Sequence, residues 1–252
     1  MLLPCRLPPT RFVRLRQRWL AATLIALTCV PAVAAPVAKS GLAGLVATPP
    51  AAHLSGDAQT IAAWVVAEHD AHGLPFLIVD KRRATVSAFD AAGRLLASAP
   101  ALLGLARGDD SVPGIGERKI ADIRPFERTT PAGRFNAELG SNAGGEDILW
   151  VDYDAAVSMH RVRPVKASER RLVRLASPTP DDNRISYGCI NLPVVFYERV
   201  LSPAVQAGTT IVYVLPETRP AASVFGFRGG SKSAAVPRRA ADTLKVAGLD
   251  GA

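Results

Sequence analysis

The chain has 252 residues, 48% of them hydrophobic and 21% charged, enough for one large domain or two small ones. Its formal net charge of +8 is that of a nucleic-acid binder. However, five of its arginines lie at positions 6, 11, 14, 16 and 18, and elsewhere no interleaving of Lys/Arg with aromatic residues supports contact with DNA or RNA.

Those five arginines form a positive stretch without acidic residues, followed by an apolar run over 19–30 that is too short to span a bilayer comfortably. Ala32-Val33-Ala34 then supplies a small-x-small cleavage pattern. The expectation is a secretory signal over 1–34, with an uncleaved anchor as the alternative. Thr28 before Cys29 speaks against a lipoprotein. Cleavage removes five arginines, lowering the charge from +8 to +3. It also removes Cys5 and Cys29, which leaves Cys189 as the single thiol of an exported, periplasmic chain with no intramolecular disulfide and no stable membrane insertion.

Residues 35–72 read as an Ala/Pro/Gly/Val-rich linker and a helix N-capped by Ser55, running to about Ala71 with Ile61, Trp64, Val65 and Glu68 at helical spacing. His53, His69 and His72 lie on or near it. No Cys, Asp or Glu cluster completes a site around them, so no metal is expected, and no cofactor. Strand-length runs follow over 75–80, 84–89 and 94–98, a β-meander with a hairpin at Gly93. Residues 104–118 read as a long polar loop, and 130–135 as a turn into a strand. Two more strands occupy 148–153 and 156–162. The basic, then Pro/Asp-rich stretch 163–183 reads as a loop or lid, and 209–215 as a closing strand. The main domain is placed at 73–217, and 218–252 is read as a basic, disordered tail.

The chemistry concentrates in Arg184-Ile185-Ser186-Tyr187-Gly188-Cys189-Ile190-Asn191. Cys189 follows Gly188 in a polar turn and precedes a helical pattern over 194–201, with Pro193 expected at its first position. A helix N-terminus there favours thiolate, and a free thiol titrates near ~8.5, so a modest push yields nucleophile at neutral pH. The alternative is an inert buried cysteine. A nucleophile needs a base, and His160 is the only histidine between 75 and 215. The alternative for His160 is an ordinary core or edge histidine.

Thr130-Pro131-Ala132-Gly133-Arg134-Phe135, His160 at the end of a strand, and Ser186-Tyr187-Gly188-Cys189-Ile190-Asn191 together resemble the L,D-transpeptidase catalytic domain family (YkuD-like). The resemblance covers about 75–216 and implies a mainly β fold with a few short helices. Such a fold is a β-sandwich or barrel whose nucleophile sits on a loop under a lid. It implies attack by Cys189 on the bond between the third residue of a peptidoglycan stem peptide and the following D-Ala, with His160 moving the protons. The thioester is then resolved by an amine. Gly188 and Cys189 N–H groups would hold the oxyanion, Arg184 a substrate carboxylate, and Ser186 and Asn191 the shape of the loop. Tyr187 stands where the family usually has a second histidine, Arg161 where a small residue is common, and the interval from His160 to Cys189 is longer than usual. The same site resolved by water would be an L,D-carboxypeptidase or cross-link hydrolase, and a drifted site would leave a noncatalytic envelope-binding protein. A monomer is expected.

Overall fold

Alternating side chains on the expected meander decide where the protein keeps its core. The computed structural model describes residues 54–205 and 208–227. The expected signal segment, the linker with His53, and the tail from 228 onward lie outside the described residues. β1 (Phe76–Asp80), β2 (Thr85–Phe89) and β3 (Leu95–Pro100) pair antiparallel, as the meander reading expected. Leu77 and Val79 of β1 point to one core, while Phe76 and Ile78 point to another. This two-sided burial is why β1 reads as a continuous apolar run rather than an alternating one.

The remaining strands are β4 (Leu103–Gly104), β5 (Gly133–Ser141), β6 (Asp147–Asp152), β7 (Val157–Arg161), β8 (Arg184–Ser186), β9 (Ile190–Leu192) and β10 (Thr209–Val214). Eight of them form one sheet in the order β3-β2-β1-β10-β5-β6-β7-β9, and β4 pairs separately with β8. The β1–β10 and β7–β9 pairs are parallel, so the closing strand lies inside the sheet rather than at its edge. Two residues past the end of β3, Leu102 exchanges both backbone hydrogen bonds with Asn191 on β9, each 2.9 Å. The chain therefore links the two edges of the sheet, and the sheet is nearly closed. The fold is mainly β with a few short helices.

The core inside the curl comprises Leu77, Val79, Val86, Leu149, Met159, Ile190 and Val212, plugged by Phe196, Tyr197, Leu201 and Val205. Outside it, α1 (Gly56–Ala67) lays Ala58, Ile61, Ala62 and Val65 on Phe76, Ile78, Phe89 and Tyr213. Ser55 caps this helix by accepting the Ala58 N–H at 3.1 Å. The helix stops at Ala67 rather than near Ala71, because the chain turns through left-handed residues at His69 and His72 (φ 54° and 52°). Because α1 shares a core with β1 and β10, the boundary expected at 72/73 falls inside one packed unit.

Three other expectations change. The stretch 163–183 is not all loop: α2 (Arg171–Leu175) forms within it, and Leu175 is buried beside Leu102 and Val162. Pro193 is the N-cap of α3 (Val194–Phe196) rather than its first residue, and α3 continues through a π-helical stretch (Tyr197–Leu201) into α4 (Ser202–Val205). The segment 218–227, expected to be disordered, carries α5 (Ala221–Phe225), whose Phe225 packs against Trp64 and Tyr213. Aromatic side chains scattered among Pro, Ala and Gly hid this element in the sequence.

Candidate active site

Cys189 sits in the turn between β8 and β9, so both flanks of the turn are fixed by strand pairing. Ser186 Oγ donates to Cys189 O at 2.6 Å and accepts the Gly188 N–H at 3.1 Å. Asn191, fully buried, donates from Nδ2 to the same Cys189 carbonyl at 3.3 Å and accepts from Arg171 at 2.5 Å. Gly188 takes φ 132°, and a Cβ there would lie 2.8 Å from Thr129 O. Both the conformation and the space require glycine. Thr130, also fully buried, donates to Gly188 O at 2.8 Å and accepts from Gly104 N at 2.9 Å. The two sequence motifs thus meet in space: the threonine of one clamps the glycine of the other.

The partly exposed Cys189 thiol meets β7. Ser158 Oγ donates to Sγ at 3.7 Å, and Sγ itself lies 3.6 Å from Ala156 O. Burial pushes the thiol pKa up, but hydrogen bonding to His160, the charge of its imidazole and contacts from Ser158 outweigh that and hold it below the ordinary range. His160 Nδ1 lies 2.8 Å from the Arg161 carbonyl. With Nδ1–H donated there, Nε2 is the nitrogen that can take a proton. Arg161 is itself anchored: its guanidinium pairs with Asp147 at 2.9 Å and Glu198 at 2.5 Å, and stacks 4.1 Å over Tyr197. The large residue after His160 therefore pins the carbonyl that orients the imidazole. β9 separates Cys189 from α3 along the chain, and His160 and Ser158 are the groups that lower the thiol pKa from β7.

Arg184 does not face a substrate. Its guanidinium is buried and bonds to both oxygens of Glu217, at 2.5 and 3.2 Å, and to Lys81 O at 2.9 Å. The expected carboxylate ligand is instead part of a buried charge cluster. Lys81, fully buried, donates to Gly108 O at 2.5 Å, Asp109 Oδ1 at 2.9 Å and Thr130 O at 2.9 Å. Asp109 also accepts the N–H groups of Glu217, Thr218 and Arg219. Nothing in the sequence marks these residues as neighbours, since they are brought together only by the closing of the sheet.

The expected oxyanion pair changes too, because the Gly188 N–H is already taken by Ser186 Oγ. Tyr187, where a second histidine was the family expectation, has the Arg128 guanidinium 3.9 Å from its ring centroid. Sequence reasoning missed Ser158, Arg128 and the role of Thr130; of these, only Thr130 lay in a recognised motif. Among the described residues no group of three or more His, Cys, Asp or Glu is arranged to hold a metal ion. No described helix is long and apolar enough to cross a membrane.

No family model matches the chain, and no curated protein matches it. Among solved structures, it is similar to the catalytic domain of the E. faecium L,D-transpeptidase at 18% identity, covering 56% of this chain and 96% of that one, with a TM-score of 0.32. It is similar to an L,D-transpeptidase from Xylanimonas cellulosilytica at 14% identity, over 56% and 60% of the two chains, with a TM-score of 0.33. The Campylobacter jejuni cell-shape-determining protein Pgp2 matches at 18% identity, over 58% and 49%, with a TM-score of 0.35. The chain thus spans less than two thirds of the latter two. At this identity and TM-score the likeness neither assigns the chain to a family nor fixes a reaction.

Proposed function

We propose that this protein is an exported cysteine acyltransferase of the cell wall, an L,D-transpeptidase acting on peptidoglycan stem peptides. The observation that carries the reading is the pairing of β7 with β9, which sets His160 opposite Asn191, two residues from Cys189, with His160 drawing the thiol pKa down and its Nδ1 2.8 Å from the Arg161 carbonyl. That is a nucleophile, a base and an orienting group in series. In this reading residues 1–34 are the signal, and the packed unit that includes α1 is the catalytic domain. Mature protein recovered from the envelope should begin near Ala35.

In the reaction, the thiol proton passes to His160 Nε2, and Sγ attacks the carbonyl carbon of the third stem residue. The C=O electrons move onto oxygen. With Gly188 N–H engaged, the Cys189 N–H is the backbone donor left for that oxyanion, a contribution typically worth ~10²–10³ in rate. As the tetrahedral species collapses, the C–N bond breaks and His160 returns its proton to the departing D-Ala amine. A thioester on Cys189 remains. An amine from a second stem then attacks it, giving its proton to His160, and the new amide forms as the C–S bond breaks and Sγ is reprotonated.

The test is intact-mass measurement of the mature protein with a tetrapeptide stem. An adduct equal to the tripeptide acyl group, absent in Cys189→Ser, is expected, followed by a cross-linked product when a second stem is added. Loss of D-Ala with water as the only acceptor would make the enzyme a carboxypeptidase. The absence of any adduct would remove the acyltransferase reading.

A further inference from the structure

We propose that Arg128, held against Tyr187, is the specificity residue that selects an acyl donor bearing a free carboxylate; this rests on the reading of Cys189 as the acylating nucleophile. Loss of Arg184 to the buried cluster leaves a substrate acid without its expected partner, and Arg128 is the cation beside the nucleophile turn that meets the need. It belongs to the segment whose next two residues line that turn: Thr129 O stands against Gly188, and Thr130 Oγ1 donates to Gly188 O at 2.8 Å. The ring it covers is that of Tyr187, two residues before Cys189.

Arg128 also has unused capacity. Its Nε and one terminal nitrogen donate to Ile123 O at 3.2 and 3.0 Å, which holds the guanidinium plane in place. The second terminal nitrogen has no bond within the described protein, and none of the ion pairs among the described residues includes Arg128. By contrast Arg161, Arg163, Arg171 and Arg184 each have a carboxylate partner. The adjacent Glu127 is engaged by Arg118 at 2.8 Å and by the Arg124 N–H at 2.8 Å. A stacked, oriented guanidinium with a free edge and no internal counter-ion is suited to a planar carboxylate. Two carboxylates of a stem peptide have that chemistry: the terminal one on D-Ala and the side-chain one on a diaminopimelate third residue.

The first test uses small probes that require only a reactive thiol. Cys189 in the full chain is alkylated with iodoacetate, an anion, and with neutral iodoacetamide, the adduct being located by peptide mass. The wild-type preference for iodoacetate should fall toward that of free cysteine in Arg128→Gln and be partly kept in Arg128→Lys, with thermal midpoints showing that both variants fold. An equal preference in wild type and Arg128→Gln, with both folded, overturns the proposal; should Arg128→Gln not fold, Arg128→Lys matching free cysteine does so. The second test compares acylation by the tetrapeptide, its C-terminal amide and its third-residue side-chain amide. Amidating the bound carboxylate should slow wild-type acylation by about tenfold, the scale of one charge-assisted hydrogen bond, and leave Arg128→Gln unaffected. Whichever amide is penalised identifies the source. Equal rates for all three in the wild type overturn the subsite. A wild type that no tetrapeptide acylates, but that keeps the iodoacetate preference, counts against the proposed activity and for the anion subsite.

Discussion

Thr130 holds the nucleophile turn through two buried bonds, to Gly104 N–H and to Gly188 O. Thr130→Val keeps the shape and leaves both groups unmet, at a cost of about 1–3 kcal/mol for each. A lowered denaturation midpoint should accompany slower acylation, with Thr130→Ser restoring most of both. The sequence displayed Thr130 and Cys189 because each stands in a motif with its own chemical logic, and His160 as a candidate because it is the only histidine between 75 and 215. It did not display Ser158 or Arg128, because a hydroxyl in a strand and an arginine in a loop look like any others until the backbone brings them to the turn. Arg184 misled for the opposite reason: it adjoins the motif in sequence, yet its side chain points into the interior toward Glu217.

At the scale of elements, α1 is legible from its Ser55 cap and its apolar spacing, and its packing makes it part of the domain rather than a spacer. Ile61, fully buried against the sheet, should cost about 2–5 kcal/mol when cut to alanine, measured by chemical denaturation. A loss near zero would mean that α1 is detachable. The charge and prolines of the stretch 163–183 describe its exposed residues well but say little of Leu175. That one side chain, buried with Leu102 and Val162, anchors α2, and Arg171 ties the helix to Asn191 behind the nucleophile. Leu175→Ala should speed proteolytic cutting within 163–183 well before the rest of the chain yields. Cutting at the wild-type rate would show that the anchor is dispensable. The meander and closing strand were legible because strand-length apolar runs bounded by turn residues survive in single segments, whereas α5 is too short to show any period.

Over the whole molecule, the Lys81–Asp109–Glu217–Arg184 cluster joins the β1–β2 turn, the loop after β4, β8 and the chain after β10. Such long-range pairing leaves no trace in any window of sequence, which is why this part of the interior was invisible beforehand. Burial raises the Asp109 pKa, but the bonds from Lys81, Thr218 and Glu217 overcome it and hold the carboxyl far below the usual range. A carboxyl depressed in the folded state contributes stability above its unfolded pKa of about 3.9, and that contribution is lost as pH falls below it. Stability should therefore drop as pH falls below about 4, and Asp109→Asn should flatten that drop. At neutral pH the same substitution removes the nearer of two buried counter-charges of Lys81, leaving Glu217 at 3.7 Å, at a cost of up to about 3–5 kcal/mol. A neutral-pH midpoint unchanged in Asp109→Asn would show that the cluster is not holding the closure together.

The central claim, that His160 activates Cys189, is tested most directly by the rate of iodoacetamide alkylation of Cys189 across pH, in wild type and in His160→Ala. A neighbouring imidazolium stabilises the thiolate, so wild-type reactivity should persist at pH values where an ordinary thiol is silent. His160→Ala should move the profile up toward the free-thiol value near ~8.5. Superimposable profiles in the two proteins would contradict the dyad.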